Sequence, residues 1–170
     1  MHELKKLDIA TMWKGLEWAS GRLVLRRRLG EKSLEAEHAP TKPGLYRMTW
    51  DGVDDWKGLP AHITVLASRK IADPRLNIQQ LQPPVLLTIG RTTDIYGKIR
   101  EHLGTNENNN RLFMRLKRML PHLTDEGIRQ AAVRSLLVEW VAVPNWSHRC
   151  LLERYGSVVC TPLFDIDAEH

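Results

Sequence analysis

The stretch GLYRMTW, Gly44 to Trp50, reads as a β-strand entered through the Pro43-Gly44 break. Downstream of it DGVDDWKG (51–58) is rich in turn residues, and HITVLAS (62–68) is a second strand candidate. Residues 70–84, with Pro74, Pro83 and Pro84, form an irregular connector. VLLTIG (85–90) is a short continuous apolar run suited to a buried central strand. TDIYGKIREHL (93–103) follows as a helix, although Gly97 costs about 1 kcal/mol in a helix interior. After the polar loop TNENNN (105–110), a helix over 110–120 sets Leu112, Leu116 and Met119 on one face and Arg111, Arg115 and Arg118 on another, and Pro121 ends it. A helix over 124–136 takes Thr124 as its N-cap, and LLVEWVAV (136–143) is a further strand. NWSHRCLLERYG (145–156) is a helix capped by Asn145 or Ser147, with Gly156 a candidate terminator and an extended tail beyond it.

Upstream, residues 1–42 read as an extension. Leu4, Leu7, Met12, Trp13, Leu16 and Ala19 approximate a helical face with Gly21 as its end. RLVLRRRL (22–29) suits a strand or more helix, and 30–42 reads as a loop. The chain of 170 residues suits one domain plus this extension, giving 1–42 and 43–170. Apolar residues at 42% and charged residues at 26% are those of an ordinary globular chain. No run approaches the roughly 20 apolar residues that span a membrane. Asp8, Lys14 and Glu17 interrupt any secretory apolar core, so the expected home is cytoplasmic. Cys150 and Cys160 have neither the number nor the spacing of a zinc site and are expected as free thiols. The net charge of +5 permits a polyanionic partner without requiring one.

Four separated stretches carry more. Pro43-Gly44-Leu45-Tyr46-Arg47-Met48 comes first, then Thr88-Ile89-Gly90-Arg91-Thr92. A helix with Ile95, Lys98 and His102 follows, and Glu153 stands nine residues before Pro162, Leu163, Phe164 and Asp165. In order and spacing, over about residues 43–165, they resemble the GIY-YIG nuclease superfamily. The resemblance implies an α/β fold with a small central, mainly antiparallel β-sheet flanked by helices, here with an N-terminal helical extension packed on it. It also implies a metal-dependent endonuclease that cleaves DNA phosphodiesters. The connection from Tyr46 to Thr88 is longer than the short hairpin of compact members. Three positions depart from the family pattern: Thr88 replaces a tyrosine, Lys98 an arginine, and Asp165 an asparagine.

Phosphodiester hydrolysis needs an activated water, neutralised phosphoryl oxygens and a stabilised leaving oxygen. In the resemblance, Glu153 holds Mg²⁺ or Mn²⁺, a hard cation that keeps most of its waters and takes phosphate oxygens as ligands. Arg91 and Lys98 face the scissile phosphate. Tyr46, with His102 nearby, handles the water proton, and a cationic neighbourhood would bring the phenol towards a useful pKa. Lys98 lacks the bidentate fork of an arginine. Arg111, Arg115, Lys117 and Arg118 form the candidate nucleic-acid surface, with DNA ahead of RNA as the partner and the oligomeric state open.

Each residue also has a plainer reading. Tyr46 can be a half-buried strand tyrosine, and His102 a helix C-terminal residue complementing the dipole. Glu153 can pair with Arg149 four residues before it. The arginine-rich helix, and Arg26, Arg27 and Arg28, can be solvated surfaces. Most of the six tryptophans are expected as core or as docking residues for the extension, with Trp56 a candidate stacking residue.

Overall fold

The computed structural model describes residues 8–28, 31–51, 84–103 and 111–164, and of residues 27, 28, 31–33, 111, 118 and 119 the backbone alone. The expected strand at 62–68, the connector through residue 83, Trp56, the loop 105–110 and Asp165 lie outside the described residues.

Helix α1 (Ile9–Lys14) starts where the Asp8 carboxylate accepts the Ala10 and Thr11 N–H groups, and it closes at Gly15. The helical face expected to run to Ala19 stops there. Ala19–Gly21 is instead strand β1, pairing with Trp140, Glu139 and Val138. Strands β2 (Leu23–Arg28) and β3 (Glu31–Ala36) form an antiparallel hairpin, which settles 22–29 as strand and corrects the loop expected over 30–42. The sequence hides β3 because EKSLEA carries only two strictly apolar positions, Leu34 and Ala36; both are buried against other elements.

Strands β4 (Gly44–Trp50) and β5 (Val85–Thr92) fall where the sequence puts them, as does β6 (Leu136–Ala142). The sheet order is β1-β6-β4-β5 and every pairing is antiparallel. The β4–β5 register slips between Met48 and Thr49, so that Met48 faces Thr88 while Thr49 faces Leu86. Such a bulge flips which residues share a face. Beyond it, Thr88 and Gly90 stand on the same side as Met48 and Tyr46.

Helices α2 (Ile95–Leu103), α3 (Arg111–Met119) and α4 (Asp125–Ser135) pack with the hairpin on one face of the sheet. Tyr46, Met48, Trp50, Leu87, Val138 and Trp140 line that core. On the other face lie α1 and α5 (Trp146–Cys160), around Leu45, Val143 and Leu152. The molecule is therefore a mixed α/β fold with an antiparallel sheet flanked by helices. Gly97 is not in a helix interior: it sits in the first turn of α2, donating its N–H to Asp94 Oδ1 at 3.0 Å. Thr124 and Asn145 are the N-caps of α4 and α5.

Gly156 does not end α5. The helix runs on to Cys160 and stops at Thr161, whose φ is +43°. Gly156 serves close approach instead, since a Cβ there would come within 2.4 Å of the Trp13 ring. Leu163 and Phe164 then return beside β5, donating their N–H groups to Leu86 and Leu87 carbonyls at 2.8 Å. Both side chains are fully buried. Among the described residues no helix is long and apolar enough to cross a membrane.

Candidate active site at the edge of the sheet

Tyr46 projects from the middle of β4 opposite Gly90 of β5. A Cβ on Gly90 would lie 2.3 Å from Tyr46 Oη and 2.5 Å from Cζ, so the phenol occupies the place a side chain would take. Its hydroxyl is hydrogen-bonded to His102 Nε2 at 2.7 Å, with the rings tilted at 47°. Tyr46 is 2% exposed and His102 is 1% exposed, so this bond lies in a low-dielectric interior where it is strengthened. His102 reaches it from the last turn of α2. Lys98 stands one turn earlier on that helix, and its ammonium is bonded to Glu101 at 3.1 and 3.2 Å.

Arg91 follows Gly90 on β5, opposite Leu45, and so belongs to the α5 side. Glu153 of α5 accepts the Arg91 N–H at Oε1, 2.9 Å, and Arg91 Nη1 at Oε2, 2.6 Å. In the described sheet β5 is an edge strand, and this carboxylate takes up one of its outward N–H groups. Burial pushes the Glu153 pKa above its ordinary value; the Arg91 charge and both hydrogen bonds pull it down without cancelling that effect.

The sequence-derived residues thus assemble as two pairs, Tyr46 with His102 and Arg91 with Glu153, one on each side of β5. Gly90 separates them with backbone alone. Through standard bond lengths the phenol oxygen and the carboxylate lie within about 9 Å of each other. Thr88 is fully buried on the Tyr46 side, its hydroxyl 3.5 Å from the Ile89 carbonyl. The Pro162-Leu163-Phe164 stretch lies along the start of β5 rather than at Gly90.

Two plainer readings are revised. Arg149 is not the partner of Glu153: it is 4% exposed and donates to the Val143 and Pro144 carbonyls at 2.8 and 2.7 Å, bracing the turn into α5. Tyr46 is fully rather than half buried. Of the proposed nucleic-acid surface, Arg115 lies over the Phe164 ring at 5.2 Å and Lys117 pairs with Asp125 at 2.8 Å. The Arg111 and Arg118 side chains lie outside the described residues. Glu101 escaped the sequence reading. Its spacing of three from Lys98 on a helix was the available signal, and one that any surface pair would give. Trp146 is 64% exposed, so it is neither core nor a docking residue for the extension.

Among the described residues no group of three His, Cys, Asp or Glu side chains comes together. Among the described residues at this site, Glu153 is the carboxylate that a divalent cation would take. Each of its oxygens already takes one hydrogen bond and keeps a second lone pair, which fits a hard cation carrying most of its own waters. No family model matches the chain, and no curated protein or solved structure matches it either.

Proposed function

We propose that this chain is a metal-dependent endonuclease that hydrolyses DNA phosphodiester bonds, in the manner of the GIY-YIG nucleases its motifs resemble. What supports the reading is the buried Tyr46–His102 hydrogen bond standing one backbone residue from the Arg91–Glu153 clasp. Tyr46 passes its phenol proton to His102 Nε2 as it takes one from the attacking water, so the buried phenolate never has to persist alone. Arg91 leaves the carboxylate to hold a phosphoryl oxygen, and Lys98 exchanges Glu101 for another. Glu153 would hold Mg²⁺ or Mn²⁺, which when bound would supply Lewis-acid neutralisation of the charge on the phosphoryl and leaving oxygens.

The test is nicking of supercoiled plasmid at low salt, with Mg²⁺ and with EDTA. Wild type converts plasmid to open circles only with the metal. Glu153→Ala and Tyr46→Phe each lose about 10²-fold or more in rate. Equal rates for wild type and Glu153→Ala defeat the catalytic reading.

A second reading is a nucleic-acid-binding protein without the chemistry. Tyr46 at 2% exposure and a Glu153 held twice by Arg91 favour it, because both reacting groups are engaged internally. Salt-sensitive retardation of DNA with no cleavage at any metal concentration would select it.

A further inference from the structure

Trp146 opens α5 and is 64% exposed. Tryptophan is highly buried on average, so an indole left in water is the informative case. The other described tryptophans behave differently: Trp50 and Trp140 are buried in the core, and Trp13 and Trp18 pack edge-on against each other. The backbone at Trp146 is fixed on both sides. Asn145 before it accepts the His148 N–H at 3.0 Å, and Arg149 after it donates to the Val143 and Pro144 carbonyls at 2.8 and 2.7 Å. The indole is thus held out on a braced helix start, and a ligand that covers it orders little that is not ordered already.

Its place on the helix ties it to the site at Gly90. At about 100° per residue, positions seven apart return to within about 20° of the same side, so Trp146 and Glu153 share a side of α5, about 10 Å apart along its axis. The exposed Leu151 and Val158 lie more than about 100° round the helix from Trp146, so the indole is not part of their apolar surface. What shares its side is charge: Glu153 and the part-exposed Arg91 bonded to it. A protein partner would call for a continuous apolar patch. A cation for the backbone and an aromatic face for a base are instead the two parts of a single-stranded nucleic-acid groove.

We infer that Trp146 is a stacking platform for an unpaired base of the substrate strand, next to the phosphate bound at Arg91 and Glu153. The inference rests on the nuclease reading for its choice of ligand. It adds a substrate class, DNA that is single-stranded where it passes the start of α5. A base inside a duplex is already stacked on its neighbours and must leave the stack before it can offer a face to the ring. Helical side chains lean towards the helix N-terminus, which sets the indole a nucleotide's reach from the carboxylate rather than against it.

The experiment is fluorescence anisotropy with two labelled single strands of equal length and charge, an oligothymidine and an abasic deoxyribose phosphate strand. Both are titrated in EDTA across a salt series, so that binding is read without cleavage. Wild type should bind the thymidine strand on the order of tenfold more tightly than the abasic one. Trp146→Ala should bind both alike, with the salt slope of wild type because no charge is removed, and with an unchanged melting temperature. Trp146→Phe should keep part of the preference, and Leu151→Ala all of it. A wild type that binds neither strand or shows no preference, or a Trp146→Ala protein that keeps the preference, overturns the inference. A wild type that prefers bases but never nicks plasmid defeats the nuclease reading and leaves the stacking contact standing. Metal-dependent nicking with equal binding of the two strands defeats the stacking contact alone.

Discussion

Tyr46 is held by three things that a side chain at position 90 would disturb: the strand beneath it, the bond to His102 and the space above Gly90. An alanine there collides with a ring that is 2% exposed and has nowhere to retreat. Gly90→Ala should therefore cost about 1–3 kcal/mol in urea unfolding, the usual penalty of overpacking, and on the nuclease reading should reduce nicking more than a surface change of equal cost. Glu153 makes a separate prediction through pH. Its folded pKa is raised by burial, so the folded protein holds that proton more tightly than the unfolded chain does. The resulting stability is present below the unfolded value and is lost as pH rises through the folded one. On the nuclease reading, Mn²⁺ would compete with the same proton. Its affinity, followed by isothermal titration, should climb with pH from the ordinary carboxylate range through the raised pKa and level off above it. Glu153→Gln should abolish that climb.

Among the elements, the contact between α1 and α5 is the most testable. Trp13 lies over Gly156, meets Trp18 edge-on at 5.6 Å between ring centroids and makes a tilted contact with Tyr155 at 6.1 Å. Gly156→Ala has two opposed effects. It favours helix α5 by about 1 kcal/mol through propensity and drives the Trp13 ring off its seat. Global stability should move by less than about 1 kcal/mol for that reason. Amide exchange across Ile9–Lys14 should quicken several-fold, a local loosening that a global melt would miss. Trp18 also stacks on the Arg47 guanidinium at 4.3 Å, and Arg47 is held twice by Glu139 at 2.6 and 2.8 Å. This half-buried contact ties the segment between α1 and β1 to the centre of the sheet.

For the whole molecule, the question is what residues 8–42 contribute. β1 extends the sheet beyond β6, the hairpin covers one face through Leu23 and Leu34, and α1 covers the other. Each buried leucine is worth about 1.5–3 kcal/mol, and a domain has only about 5–15 kcal/mol in total. A chain starting at residue 43 should lose its cooperative thermal transition by circular dichroism and bind a hydrophobic dye. A sharp melt near that of the full chain would show that the remainder folds alone.

The motif stretches were legible because their physics is local. Val85–Gly90 is an apolar run, Thr124 and Asn145 cap helices by hydrogen bonds spanning three residues, and Pro121 stops a helix from within the chain. The resemblance of the motif stretches to the GIY-YIG nucleases nominated Tyr46, Arg91, Lys98, His102 and Glu153. The nearness of His102 to Tyr46 came with that resemblance, but the Arg91–Glu153 clasp was not legible, because contact across 62 residues depends on which strands pair and at what register. Glu153 has Arg149 within helical reach in sequence, yet it takes Arg91, because Arg149 is consumed by two carbonyls that only the turn into α5 brings near. The β3 strand and the continuation of α5 past Gly156 were likewise settled by packing, against α2 and Trp13 respectively. Local periodicity and capping wrote most of the elements into the chain. Burial and register, which are properties of the assembled sheet, decided which side chains meet at Gly90.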